Sequence, residues 1–428
     1  MTHPIARSPE EWAAALAPRG ERSFVAKQVF GWIHKRGVLD PARMSNLSPK
    51  LRAALTEEGL AEPFAVEHVH RSADATRKLV LRLADGATIE TVLLPSVSGP
   101  GSAAELDADS AAADDEDDDD DAPEGAREGG ARGSGARAGG GARAEDSAPV
   151  IRVTQCISTQ VGCAMGCVFC ASGVAGLKRH LGAEEIVAQV LVGRARLDEG
   201  EQLRNVVLMG MGEPLHNYDE TARALRLLSH PEGIGLSTRR VTVSTSGLVP
   251  EIERLGRDFG GQVALAVSLH AADDATRSAI MPINRKYPIG ELMAALRAYP
   301  MPKRRRITIE YTLVAGKNDG LEQARKLASL LTGVRVKVNL IPMNPIAASP
   351  LGPSEWGRVM AFQRVLNDAG YSCFVRRRRG DDVAAACGQL ALLGAKPKVR
   401  GFREAEAQAK GGEGANAGEG VSAGEGAK

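Results

Sequence analysis

The feature that most constrains this chain is an alternation that runs from residue 150 to about 393. Short apolar stretches of strand type (150–154, 205–209, 241–244, 263–269, 306–313, 334–341, 372–376) alternate with stretches of helical spacing (183–197, 221–228, 250–257, 290–298, 321–331, 354–369). Strands separated by helices pair in parallel, because a parallel neighbour needs a crossover long enough to hold a helix. A barrel and a doubly wound sheet both satisfy the pattern. In either, functional residues gather at the C-terminal ends of the strands.

Upstream, residues 1–62 read as helical, with apolar spacing over 9–16, 25–37 and 47–58. Phe24, Val29, Phe30, Trp32 and Ile33 are the expected core stripe. Lys27, His34, Lys35 and Arg36 form a charged face, either a solvated helix side or a phosphate contact. Residues 63–95 read as strands: 78–83 alternates, Asp85-Gly86 supplies a turn, and 88–94 continues.

Two segments break this organisation. Residues 96–149 hold 15 acids and 4 arginines, and 404–428 hold 5 acids and 2 lysines, with no aromatic residue in either. Such composition cannot bury enough apolar surface to offset the entropy of ordering, so both are expected to be disordered. The formal charge of +1 on 428 residues therefore conceals a core of about 349 residues carrying +15. A basic core suggests a polyanionic partner. An insert between two strands should project from a loop tip.

The charge-free stretch 338–354 has only 17 residues and four prolines, so it is not expected to span a membrane. No signal-peptide pattern opens the chain. Of the six cysteines, four fall within 156–170, which is no disulfide scaffold and fits a reducing cytoplasm.

The chemical signal is Gly162-Cys163-Ala164-Met165-Gly166-Cys167-Val168-Phe169-Cys170, a C-x3-C-x2-C spacing on a loop after a strand. Thiolates are the preferred ligands of iron–sulfur clusters and of zinc. Three cysteines on a [4Fe–4S] cluster leave one iron open, which suggests reaction. The competing reading is a zinc site completed by Cys156 or His180.

Further segments end successive strands: Met209-Gly210-Met211-Gly212-Glu213-Pro214, Ser244-Thr245-Ser246-Gly247, Ser268-Leu269-His270 and Asn339-Leu340-Ile341-Pro342-Met343-Asn344-Pro345. Glycines admit close approach of a ligand. Glu213 can accept from an ammonium, and Ser244, Ser268 and Asn344 can bond hydroxyls or a carboxylate. Each alone is as well read as a turn or a helix cap. A last motif runs Arg376-Arg377-Arg378-Arg379-Gly380-Asp381-Asp382-Val383-Ala384-Ala385-Ala386-Cys387-Gly388-Gln389-Leu390.

The cysteine spacing with an aromatic residue before the third Cys resembles the radical S-adenosylmethionine superfamily. With the last motif, the chain is similar to the adenine-C2 methyltransferases of ribosomal and transfer RNA (the RlmN group, with the C8-methylating Cfr group as sister) over about 20–95 and 150–393. The resemblance implies an α/β fold with a partial (β/α) barrel at 150–393, a helical module at 1–62, a β extension at 63–95, the insert at 96–149 and a C-terminal segment at 394–428. It implies a [4Fe–4S] cluster on Cys163, Cys167 and Cys170. It implies S-adenosylmethionine, two per turnover, held by Gly212, Glu213, Ser244, Ser268, Leu269, His270 and Asn344. Cys387 would carry the methyl group as S-methylcysteine, Cys156 would resolve the RNA adduct through a transient disulfide with Cys387, and Glu90 would accept a proton. Cys373 matches no motif and reads as an inert buried thiol.

The implied partners are 23S rRNA near the peptidyl-transferase centre, tRNA beside the anticodon, and an electron donor such as flavodoxin, with the enzyme acting as a monomer in the cytoplasm. Basic clusters at 178–180, 239–240, 285–286, 303–306 and 376–379 are candidate phosphate contacts or solvated surface. An acidic loop near the active mouth could compete with RNA for them. A C8 methyltransferase and a zinc-stabilised RNA-binding protein are the alternative functions.

Overall fold

The computed structural model describes residues 2–96, 150–376 and 378–390. The expected disorder of the insert and of the tail falls outside the described residues.

Helices α1 (Pro9–Leu16), α2 (Ser23–Phe30) and α3 (Pro49–Glu57) build the N-terminal module. A capping box opens α1: Ser8 Oγ accepts from Glu11 N at 3.2 Å, and the Glu11 carboxylate accepts from Ser8 N at 2.8 Å. The buried face of α2 is Val25, Ala26, Val29 and Phe30, extended by Ile33 in a π turn. Phe24 lies off this face and is 52% exposed, which corrects its place in the core stripe. Trp32 is half-buried beneath the Arg36 guanidinium, 4.1 Å from the ring. His34, expected on the charged face, is fully buried because it follows Phe30 by one turn, with ring centroids 4.3 Å apart. Lys27 pairs with Glu232 at 2.7 Å, so Lys35 and Arg36 are what remains of that face.

Three antiparallel strands follow, β1 (Phe64–Arg71), β2 (Arg77–Leu83) and β3 (Thr88–Pro95). β3 pairs antiparallel with β4 (Ile151–Cys156), Val92 opposite Cys156 and Pro95 opposite Val153. A two-stranded ribbon of β5 (Gln160–Val161) and β6 (Arg179–His180) flanks α4 (Ala171–Ala175). Then come α5 (Ala183–Arg194), β7 (Glu201–Leu208), α6 (Tyr218–Leu228), β8 (Val241–Thr245), α7 (Val249–Phe259) and β9 (Ala264–Ser268). The rest is α8 (Asp274–Ile280), α9 (Ile289–Ala298), β10 (Ile307–Leu313), α10 (Leu321–Leu330), β11 (Val336–Pro342), α11 (Trp356–Asp368) and β12 (Cys373–Val375).

Among the described residues the main sheet has ten strands, and β4, β7, β8, β9, β10, β11 and β12 pair in parallel in strict chain order. A doubly wound sheet reverses its order midway; this one does not. Right-handed crossovers that all step the same way put their helices on one face and curl the sheet towards a barrel. The fold is thus a mixed α/β partial barrel, extended by β1–β3.

The insert joins the paired ends of β3 and β4, where Ser96 N donates to Arg152 O at 2.6 Å, so it does leave a hairpin tip. That tip is at the N-terminal end of β4, opposite Cys156, because β3 runs antiparallel. The two ends of the insert are therefore anchored at the floor of the barrel, and its expected position near the active mouth falls outside the described residues.

Burial holds His34 neutral by lowering its pKa to about 3 from the ordinary 6.5. Below pH 6.5 the unfolded chain takes a proton that the folded chain refuses, so stability falls by about 1.4 kcal/mol per pH unit. His34→Phe removes that contribution. Urea unfolding at pH 7 and pH 5 should show the variant losing about 2 kcal/mol less than wild type, from the same slope. An equal loss would contradict the neutral buried imidazole.

Candidate active site

The loops that follow β4, β7, β8, β9, β11 and β12 open on one cavity of about 910 Å³. Its lining brings together Cys163, Cys167, Cys170, Gly212, Glu213, Ser244, Ser268, His270, Asn344 and Cys387. Residues scattered over more than 220 positions meet because parallel strands in chain order present their C-terminal ends side by side. An adjoining cavity of about 770 Å³ is lined by Cys156, Val92, Leu94 and Cys387. Met209, Ile341, Asn344, Arg376 and Cys387 border both cavities.

Two of the expected residues lie elsewhere. The side chain of Leu269 is fully buried in the core; its N–H donates to Glu310 O at 3.0 Å and its carbonyl accepts from Arg277 Nε at 3.0 Å. Glu90 borders neither cavity. On β3 it shares the face of Val92 and Leu94, is buried, and pairs with Lys78 Nζ at 3.0 Å. Lys78 Nζ also donates to Ala384 O at 3.3 Å, so Glu90 is coupled to the loop that bears Cys387.

That loop is tied down at several points. Gly380 N donates to Asp74 Oδ2 at 3.0 Å, Arg379 Nη2 to Pro95 O at 2.6 Å, and Ala73 N to Asp382 Oδ2 at 3.1 Å. Ala171 N donates to Gly388 O at 2.8 Å and Ser172 Oγ to Leu390 O at 2.7 Å. Asn344 Nδ2 donates to Cys387 O at 3.0 Å. Residues 378–390 thus form a strap from near the end of β12 to the β1–β3 extension and back to the cysteine loop. Ala384, three residues before Cys387, holds φ at 49°, a left-handed conformation rare for a non-glycine residue.

Burial pushes the Cys156 and Cys163 thiols up to about 12 and raises those of Cys167 and Cys170 as well. At Cys156 the approach of Cys387 adds to this, while Arg376 favours the thiolate. Burial also raises the carboxyl of Glu213, whose oxygens accept from Leu215 N at 3.1 Å and Ser246 N at 2.7 Å. His270 is held neutral, near 3, by burial and by Arg277. Its Nδ1 accepts from Thr312 N at 2.9 Å, which assigns the proton to Nε2. Gly212 has φ of 109°, and a Cβ there would stand 2.8 Å from the backbone N of Gln160. Glycine is required for that close approach.

The donor set fits the implied groups. Three thiols line the cavity without closing on a single metal-ion position among the described residues, and all six cysteines are free of disulfides. Also in the lining, the buried Asn344 Oδ1 and Glu310 Oε2 have no hydrogen-bond partner among the described residues. Unpaired acceptors of this kind await the ammonium or hydroxyl donors of a polar ligand. Glu310 was not anticipated, although a lone acid in the apolar run 307–313 was visible; burial raises its pKa. Arg376, read only as part of a basic run, borders both thiol cavities.

Several basic clusters are partly structural. Arg179 pairs with Asp85 at 2.6 Å and Glu185 at 2.8 Å, Arg306 donates to Ser372 Oγ at 2.9 Å, and Arg378 donates to Met343 O at 3.0 Å.

Known proteins place this site. Residues 157–328 match the Radical SAM superfamily, and residues 8–60 match the ribosomal RNA large subunit methyltransferase N-terminal domain. A solved radical SAM methyltransferase from Sphaerobacter thermophilus superposes with a TM-score of 0.75 at 39% identity, covering 91% of this chain and 99% of its own. Fold and cysteine loop together define a radical S-adenosylmethionine enzyme. The dual-specificity RNA methyltransferase RlmN of Sorangium cellulosum (strain So ce56) is 74% identical over 398 residues, 93% of this chain and 97% of that protein. That of Caulobacter vibrioides (strain NA1000 / CB15N) is 39% identical over 407 residues, covering 93% and 87%. The chain belongs to the RlmN family and is a radical-SAM methyltransferase of RNA. No helix among the described residues is long and apolar enough to cross a membrane.

Gly212→Ala should cost about 2 kcal/mol by overpacking against the Gln160 backbone. Thermal melting of the purified protein checks this. A variant that melts as wild type would mean the strand-end loops are looser than described.

Proposed function

We propose that the enzyme methylates C2 of adenine in 23S rRNA and in tRNA through a methylated Cys387. The observation that carries this reading is the shared border of the two cavities: Cys387 stands between the three cluster cysteines on one side and Cys156 on the other.

An aromatic C2–H is neither acidic nor nucleophilic, so polar methyl transfer to that carbon is implausible. Cys163, Cys167 and Cys170 would hold a [4Fe–4S] cluster, and Gly212, Glu213, Ser244, Ser268, His270 and Asn344 would hold S-adenosylmethionine. When bound, the pair supplies the one-electron chemistry that activates a carbon–hydrogen bond. The chain's own residues do the rest. Cys387 carries the methyl group as a thioether. Its neighbours Ala384, Ala385, Ala386 and Gly388 are small, which lets the sulfur reach both cavities. After carbon–carbon bond formation the base is tethered to Cys387 Sγ.

Release then needs a thiolate at Cys156. It forms a disulfide with Cys387 Sγ as the carbon–sulfur bond breaks, and the electron pair stays on the new carbon, which takes a proton. Burial keeps Cys156 a thiol until its proton leaves, and Arg376 is the nearby charge that favours the thiolate. Glu90 is the proposed proton acceptor, poised by Lys78. The disulfide must be reduced by an external thiol before the next cycle. The electron donor of the radical chemistry would be a carrier such as flavodoxin. A target adenine has to be unstacked to enter, which favours loops and single strands.

Nucleoside mass spectrometry after reaction with unmethylated 23S rRNA and tRNA should return 2-methyladenosine from both; 8-methyladenosine would assign the sister chemistry instead. Cys387→Ala should retain iron and sulfide yet lose methylation by at least a hundredfold, the scale of losing a group that forms a covalent intermediate. Near wild-type yield from that variant would remove the carrier role.

A further inference from the structure

We propose that Arg277 is a fixed counter-charge of the iron–sulfur cluster, a permanently protonated guanidinium set behind the cysteine loop to ease the cluster's reduction. This rests on the cluster reading above.

Arg277 lies in α8 and is completely buried. All its hydrogen-bond acceptors are neutral. Nε donates to Leu269 O at 3.0 Å, Nη1 to Asn284 Oδ1 at 2.9 Å, and Nη2 to Ser246 O at 2.6 Å and Ser268 O at 3.2 Å. The carboxylate of Asp274 stands one amide away, accepting from Asn284 Nδ2 at 2.9 Å and Ile289 N at 2.8 Å. The guanidinium itself has no carboxylate within ion-pair distance among the described residues. A buried cation without an ion-pair partner is costly, and arginine cannot escape the cost by shedding its proton. A neutral side chain would tie the ends of β8 and β9 without that cost, so tying alone does not account for the charge.

The negative charge that would compensate lies along the same face of α8, where Ile280 and Met281 follow Arg277 by three and four residues. Val168 N donates to Ile280 O at 3.1 Å, and Ala271, Ile280 and Met281 pack against Cys167, Val168 and Phe169. The helix therefore backs the cysteine loop directly. Gly247 leaves room for the guanidinium: a Cβ there would stand 3.2 Å from Arg277 Nη2. The charged or ionisable groups that act on Arg277 are Cys167 of the cysteine loop and Asp274 of its own helix.

The electrostatics set the direction of the effect. A [4Fe–4S]²⁺ cluster on three thiolates carries one net negative charge, and one added electron makes it two. In a dry setting that second charge is unfavourable unless a cation stands near it. Arg277 is positioned to stabilise the reduced form more than the oxidised form and so to raise the midpoint potential.

The test uses full-length protein with its cluster reconstituted anaerobically. Iron and sulfide are measured first on wild type; their absence would overturn the cluster reading itself, separately from this inference. Potentiometric titration followed by electron paramagnetic resonance then compares wild type with Arg277→Gln and Arg277→Lys. At a fixed ambient potential, Arg277→Gln should hold at least tenfold less reduced cluster, which is a midpoint about 59 mV lower for one electron. Arg277→Lys keeps the charge and should stay near wild type. If Arg277→Gln cannot retain the cluster while Arg277→Lys does, and their cluster-free forms melt alike, the need for charge is again supported. If the two variants behave alike, in potential or in cluster loss, Arg277 only ties β8 to β9 and the proposal is overturned.

Discussion

Everything at this site depends on the hydrogen bonds that hold residues 378–390 across the open side of the barrel. A sheet that ends at β12 leaves a gap, and a loop crossing a gap is held only by what it bonds. Here Asp74, Pro95, Lys78, Ser172 and Asn344 each take one point of the strap. The result is that Cys387, half-buried at the end of the motif, faces the cysteine loop on one side and Cys156 on the other. The left-handed Ala384 records the tension of that path, since alanine adopts such a backbone only when its surroundings impose it.

The rest of the fold serves the same convergence. Seven parallel strands in chain order put the ends of β4, β7, β8, β9 and β11 around one opening, so short motifs far apart in sequence share a cavity. The antiparallel extension has a different task. β3 sets Val92 beside Cys156, and β2 supplies Lys78, which couples Glu90 to the strap. Because β3 runs the other way, the acidic insert leaves from the floor of the barrel, away from the thiols. A grafted loop of this length is tolerable there, since it breaks no pairing between β3 and β4.

Much of this was legible in the sequence, for identifiable reasons. Apolar runs bounded by loops revealed the parallel strands, and strand-end motifs revealed the cavity wall, because both are local patterns. What was missed depends on three-dimensional neighbours. Phe24 and His34 exchanged sides because one helical residue's turn decides burial, and the path through a π turn at 31–35 is not written in polarity. Helix α8 was invisible because its buried positions are Arg277 and Ile280, and a buried arginine erases an apolar stripe. Leu269 belonged to the right motif, but strand alternation turns its side chain into the core. The floor position of the insert's two ends needed the direction of β3, which no composition reveals.

The measurement that bears most directly on two thiols sharing one reacting centre is the fate of RNA on the Cys156→Ala enzyme. Incubated with S-adenosylmethionine, a reductant and substrate RNA, this variant should accumulate a covalent RNA–protein adduct on a denaturing gel, mapped by mass spectrometry to Cys387. Turnover to free methylated RNA without any adduct would contradict the placement of Cys156 as the residue that frees the product.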